Sequence, residues 1–270
     1  AAEDDYEEAL ADHPEVDDLK VALVLAASPK EVKAVLKSGE AIAISGEGLK
    51  FAARALEEKA AQQRRLRRGA VIRVRRDEKK TWQIAQLPEA EAAFVSLDPA
   101  SGAVRALVGG FDFNRNKFNH ITQAWRQPGS SFKPFIYSAS LEKGFTPATV
   151  IADEPIVVEA EVTGSQRWEP KNYDGKFEGP MRLRTALAKS KNMVSIRILQ
   201  SIDPKYAQDY VTRFGFDADK HPPYLTMALG AGSVTPLQMA RGFAVFANGG
   251  YLVQPYFIQK IFDDRVNPLG

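Results

Sequence analysis

Gln127-Pro128-Gly129-Ser130-Ser131-Phe132-Lys133-Pro134 is the stretch from which the rest of the chain can be read. Pro128 and Gly129 predict a turn. The continuation through Phe135, Ile136 and Tyr137 to Leu141 has the apolar content of a buried helix starting near Ser130. On such a helix Ser130 and Lys133 lie one turn apart on the same face. A serine hydroxyl attacks an amide at a useful rate only when something takes its proton. A lysine amine withdrawn from water is such a base, because burial disfavours its charged form. A serine at a helix start also stands beside free backbone donors and the positive end of the dipole, which favour an oxyanion developing there.

Ser-x-x-Lys by itself is a weak signal, since Ser140-Leu141-Glu142-Lys143 has the same spacing and reads as a helix end before Gly144. Three features single out the first copy: the Pro-Gly turn before it, the Pro-Phe continuation after it, and a second polar group, Ser190-Lys191-Asn192. That group stands between a helical stretch at 183–189 and an apolar run at 193–199. A loop joining two helices can present a hydroxyl and an amide to a cleft. Ser190 would then relay a proton to a leaving amine, and Asn192 would orient a substrate amide. The plainer reading is a helix-joining turn, for which Ser and Asn are well suited.

Further along, Asp203 predicts a helix cap with Pro204 at the first helical position and Gly215 beyond the end. Thr235-Pro236-Leu237-Gln238 has capping-box spacing, and Asn248-Gly249-Gly250 ends the helix it opens. Met239, Phe243 and Phe246 recur at helical spacing, which reads as core packing. Towards the N-terminus, runs at 92–97 and 103–108 joined by Asp98-Pro99-Ala100-Ser101-Gly102 predict a hairpin. Residues 21–88 combine extended runs at 21–25, 41–45, 71–75 and 82–87 with a helix-like 49–66. Short strands with one helix suit a small barrel of the OB type.

Composition narrows the class. The formal charge of +2 hides an acidic start, with nine Asp and Glu before Lys20, and a basic cluster from Arg64 to Lys80. No cysteine is present, which excludes disulfides and thiol catalysis. The longest apolar run, 21–27, falls far short of a membrane span. No fixed-period repeat is visible.

Taken together, the two polar groups in this order resemble the first two signatures of the penicillin-binding protein and serine β-lactamase superfamily. Ala93-Phe94-Val95-Ser96-Leu97-Asp98-Pro99, the run from Gly102 to Gly110, Pro170-Lys171-Asn172-Tyr173-Asp174 and the run from Gly230 to Ala240 are similar to class A penicillin-binding proteins, the bifunctional 1a type of Gram-negative bacteria. The resemblance implies an α+β chain. A small OB-like β-barrel within 1–88 would be followed at 89–270 by an incomplete transpeptidase domain, an antiparallel sheet with a helical subdomain, β-lactamase-like in kind.

It also implies roles: Ser130 the acylated nucleophile, Lys133 its base, Ser190 the proton relay and Asn192 the substrate-binding amide. The implied partners are peptidoglycan stem peptides and β-lactams, with regulators of cell-wall synthesis at the OB-like domain. No metal, organic cofactor or nucleic acid is expected, and the expected location is the periplasmic face of the inner membrane.

One departure stands out. The third signature, Lys-Thr/Ser-Gly on an edge strand, is expected to be absent from the whole sequence. In the family that strand supplies one of two oxyanion donors, worth about 2.7–4 kcal/mol. The sequence is therefore expected to be an internal piece of a longer enzyme, with a glycosyltransferase domain and anchor elsewhere, and unable to complete catalysis alone. The alternatives are a β-lactam sensor or β-lactamase, a family member that kept the fold and lost the activity, and a polyanion-binding OB module. Against a β-lactamase, no Glu or carboxylated Lys can be placed as a deacylating base.

Overall fold

Alternating apolar and polar residues between Lys20 and Ala85 form five strands: β1 (Lys20–Ala27), β2 (Glu31–Leu36), β3 (Ala41–Ser45), β4 (Val71–Arg76) and β5 (Trp82–Ala85). The computed structural model describes residues 6–159 and 166–262. It divides into two compact units, the described residues up to Glu91 with Asp112–Asn116, and Ala92–Phe111 with those from Lys117 onward.

In the first unit every neighbouring pair of strands is antiparallel, in the order β3-β2-β1-β4-β5. The two outermost strands approach one another, so the sheet curls towards a barrel. Val24, Val32, Ala34, Ile44 and Val74 fill its inner face with no exposure. A short helix α1 (Tyr6–Ala11) precedes the sheet and seats Leu10 in the interior.

Two expectations change here. The helix anticipated over 49–66 is instead a 3₁₀ turn (Gly46–Ala52) followed by a single α-turn, α2 (Ala53–Leu56). The backbone turns extended at Glu57. Beyond Leu56 the sequence has good helix formers but no apolar stripe until Leu66, and short helices persist mainly by burying such a stripe. The other concerns Lys-Ser-Gly, which does occur in the chain as Lys37-Ser38-Gly39. It forms the β2–β3 turn, with Gly39 at φ +83° and its N–H donated to Leu36 O. It lies before Ser130 in the sequence and in the other unit.

The second unit opens on the anticipated hairpin, β6 (Phe94–Leu97) and β7 (Val104–Val108). Asp98 organises its turn by accepting from the N–H groups of Ala100 and Ser101, each at 3.0 Å. A second antiparallel pair is β8 (Val150–Asp153) and β9 (Gly179–Arg182). The helices are α3 (Lys133–Glu142), α4 (Leu183–Ala188), α5 (Asn192–Ile202), α6 (Pro204–Val211) and α7 (Pro236–Ala247). Among the described residues, no helix is long and apolar enough to cross a membrane.

Helix α3 is the hub. Phe135 meets Phe214, Phe216 and Phe243 edge-on at 5.0, 4.8 and 5.3 Å and stacks on Phe246 at 5.3 Å. Such pairs each contribute about 0.5–1.5 kcal/mol beyond area burial. The stripe on α7 is therefore only partly core, because Phe243 and Phe246 rest on Phe135 yet remain exposed on their far sides. Helix α5 lies deep in the core, with Met193, Val194, Ile196, Ile198 and Leu199 fully enclosed.

The local punctuation follows the sequence. Asp203 Oδ1 accepts from Lys205 N and Tyr206 N at the start of α6. Both hydrogen bonds of the Thr235–Gln238 capping box are made.

Candidate active site

The Pro-Gly turn before Ser130 is pinned from outside. Arg126 and Val234 exchange backbone hydrogen bonds at 2.9 and 3.0 Å, and Gly129 N donates to Gly230 O at 3.2 Å. The two chain segments touch so closely here that a Cβ on Gly230 would fall 2.1 Å from Gly129 O. Gly129 itself has φ +57°, the left-handed conformation that lets the chain turn into the next element.

That element differs from a simple helix start. Gly129–Phe132 is a 3₁₀ turn, and the α-helix proper begins at Lys133, whose N–H donates to Ser130 O. In 3₁₀ geometry residues i and i+3 eclipse one another, which sets Ser130 and Lys133 in one column. Ser130 is exposed, and among the described residues its hydroxyl has no hydrogen-bond partner. Lys133, by contrast, is 1% exposed.

The three donors of the Lys133 ammonium are all engaged on the Ser190–Asn192 segment. Nζ donates to Ser190 O at 2.7 Å, to Ser190 Oγ at 2.9 Å and to Asn192 Oδ1 at 2.7 Å. Burial pulls the amine down from 10.5 to about 8. The structure thus brings Lys133, Ser190 and Asn192 into direct contact. It places Ser130 one turn away along the same element, and no hydrogen bond joins its hydroxyl to Lys133.

Ser190 occupies an unusual backbone position, with φ +54°. It is the residue just past the end of α4, where Ser190 N donates to Leu187 O and Lys191 N donates to Ala186 O. This is the Schellman ending, which normally takes glycine. A serine there carries a left-handed penalty of about 1–2 kcal/mol. In return its hydroxyl sits on the lysine amine.

Asn192 presents its amide in one sense only. As an ammonium Lys133 can only donate, so Oδ1 faces it. Lys171 O can only accept, and Nδ2 donates to it at 2.8 Å.

Behind these residues lies a polar network, centred on the buried Lys191 and Asp153, whose function sequence reasoning did not assign. Lys191, 3% exposed, pairs with Glu178 at 2.9 Å, Asp174 at 3.3 Å and the fully buried Asp153 at 3.4 Å. Its amine is raised above the ordinary lysine value, first by Glu178. The only signals in the sequence were a lysine opening an otherwise apolar run and the Pro170–Asp174 run itself.

His221 was also missed. It is 1% exposed and stacked on Phe132 at 4.6 Å, and neither ring nitrogen has a hydrogen-bond partner among the described residues. Burial lowers it to about 4, with Asp217 and Asp219 opposing. The second Ser-x-x-Lys is structural, since Ser140 is buried and donates to Tyr137 O within its own helix.

Known proteins share this sequence and fold. Residues 92–269 match the penicillin binding protein transpeptidase domain, and residues 1–90 match the penicillin-binding protein OB-like domain. The chain belongs to the class A penicillin-binding proteins. It is 51% identical over 250 residues to penicillin-binding protein 1A of Neisseria flavescens, covering 93% of this chain and 31% of that protein. Its fold superposes on the crystal structure of penicillin-binding protein 1A from Haemophilus influenzae with a TM-score of 0.88 at 37% identity, over 100% of this chain and 39% of the other. PonA1 of Mycobacterium tuberculosis in complex with penicillin V gives a TM-score of 0.58 at 27% identity, over 67% and 51%. The chain spans about a third of the length of the curated relatives it matches.

Proposed function

We propose that this chain carries the acyl-transfer apparatus of a peptidoglycan D,D-transpeptidase, with Ser130 as nucleophile, Lys133 as base, Ser190 as proton relay and Asn192 as substrate clamp. The observation that carries the reading is the Lys133 amine, enclosed, lowered towards neutrality and bonded to both Ser190 Oγ and Asn192 Oδ1.

In its neutral form Lys133 has two N–H groups and a lone pair. The lone pair takes the proton of the Ser130 hydroxyl as Oγ bonds to the carbonyl carbon of a D-Ala-D-Ala peptide. The C–N bond then breaks. The departing amine takes its proton from Ser190 Oγ, which recovers one from the Lys133 ammonium. An amine of a neighbouring strand attacks the resulting ester and loses its proton along the same path, so Ser130 leaves as the hydroxyl. A β-lactam follows the first half of this course, with its leaving nitrogen still tethered. Asn192 keeps one Nδ2 proton and one Oδ1 lone pair for the substrate amide.

The same reading puts the whole protein at the periplasmic face of the inner membrane, with a glycosyltransferase domain elsewhere. The domain division falls at the linker near residue 88, and the OB-like domain is a docking site for regulators of wall synthesis.

Intact-mass spectrometry of the full-length protein with a β-lactam tests the assignment. The expected result is one adduct, absent in Ser130→Ala and strongly slowed in Lys133→Ala. An adduct that persists in Ser130→Ala would falsify the choice of nucleophile and turn attention to Ser131.

A further inference from the structure

Helix α5 starts without a cap of its own. Its N-cap residue, Lys191, makes no capping bond and sends its side chain into Asp153, Asp174 and Glu178. The first N–H groups of the helix are taken instead by a side chain 20 residues upstream: Asn172 Oδ1 accepts from Asn192 N at 2.8 Å and from Met193 N at 3.5 Å. Through Nδ2 the same amide donates to Asp153 Oδ1 at 2.7 Å and to Lys176 O at 2.8 Å. Both of those partners only accept, so the nitrogen must face them and the oxygen is left for the helix. Asn172 is 5% exposed, and all four of its hydrogen-bonding positions are filled.

Asn192 is therefore gripped at two points by consecutive residues. Asn172 holds its backbone N–H, and Lys171 O holds its side-chain Nδ2. What this grip leaves free to point inward is Asn192 Oδ1, 2.7 Å from the Lys133 amine.

We propose that Asn172, oriented by the buried carboxylate of Asp153, is a positioning residue for the acyl-transfer site: it caps α5 from a distance and thereby aims Asn192 at Lys133. This rests on Lys133 being the base. Asn172 touches neither the substrate nor the reacting atoms and acts only through Asn192. Loosening it has two separable effects. The acylation step loses orientation, and the Lys133 ammonium loses an acceptor that favours its charged form.

The test is the rate of covalent labelling of the full-length protein by a fluorescent penicillin between pH 6 and 9.5, with thermal unfolding measured alongside. For Asn172→Ala the plateau rate of folded protein is expected to fall on the order of 10- to 100-fold. The bend in the pH profile should move to lower pH by about half a unit or more. A purely structural role would scale the rate with the folded fraction and leave the bend where it was, and that result overturns the proposal. So does a plateau within about twofold of the parent, which would mean orientation is untouched.

Asn172→Ser, which keeps a short polar group in the buried position, is scored identically should the alanine variant not fold. Failure of both to fold also overturns the proposal, Asn172 then being a folding residue. Labelling that survives Ser130→Ala, or a parent profile with no bend, strikes instead at the assignment of the site.

Discussion

The sharpest consequence of the buried amine concerns pH. An ordinary lysine near 10.5 is neutral in about 3 molecules in 10,000 at pH 7. At about 8 the neutral share is roughly 1 in 11, so enclosure raises the supply of base about 300-fold. The neutral form is the active one, so acylation should quicken with rising pH, about tenfold per unit well below the bend, and flatten above about pH 8. Single-turnover labelling of the full-length protein by a fluorescent penicillin reads this directly. Lys133→Arg keeps a charge but cannot give up its proton, and should lower the plateau by about 10²–10⁴. A profile flat from pH 6 upwards, or one still climbing tenfold per unit at pH 9.5, would refute the reasoning. The first would mean no titrating base, the second an amine that burial has not shifted.

Three further outcomes follow from the geometry. Ser190→Gly removes a left-handed penalty of about 1–2 kcal/mol but gives up the bond from the buried Lys133 amine, about 1.5–3 kcal/mol, and adds about 0.5–1 kcal/mol of glycine entropy, so the melting temperature should stay level or fall while labelling slows at least tenfold. A melting temperature several degrees higher, or an unchanged labelling rate, contradicts this.

His221 is lowered from 6.5 to about 4, so the unfolded chain binds the extra proton between those values. Its share of stability is complete above about pH 6.5 and is lost as pH falls towards 4, by up to about 3 kcal/mol. Urea midpoints of the parent and His221→Leu across this range should diverge accordingly, and parallel curves would count against it. Thr235→Ala removes the Oγ1 acceptor of the capping box on α7, while the backbone N–H bonded to Gln238 Oε1 stays, and should cost about 1 kcal/mol in urea unfolding.

Where the sequence could be read, the physics is local. The caps at Asp203 and Thr235, the Asp98 turn and the Pro128-Gly129 turn each depend on groups within a few residues of one another, so the order of residues carries the information. The i, i+3 spacing of Ser130 and Lys133 is of this kind, as are four of the five strands in the first unit, β2 (Glu31–Leu36) having gone unread. The same locality explains the misreading of 49–66. Helix formers are visible one by one, whereas the lack of an apolar face to bury is a property of the fold.

What the sequence by itself determined, then, is part of the inventory of elements, without β2, β8 and β9, together with its punctuation and the residue types offered to the site. Only the tertiary structure decided which of them meet. Lys133 finds Ser190 and Asn192, 57 and 59 positions away, because α3 and α5 pack their apolar faces together. Asn172 reaches the start of α5, and Lys191 turns inward to Asp153, because α5 also packs against β8. Enclosure by that packing, which no local pattern encodes, is also what brings the lysine amine down to about 8.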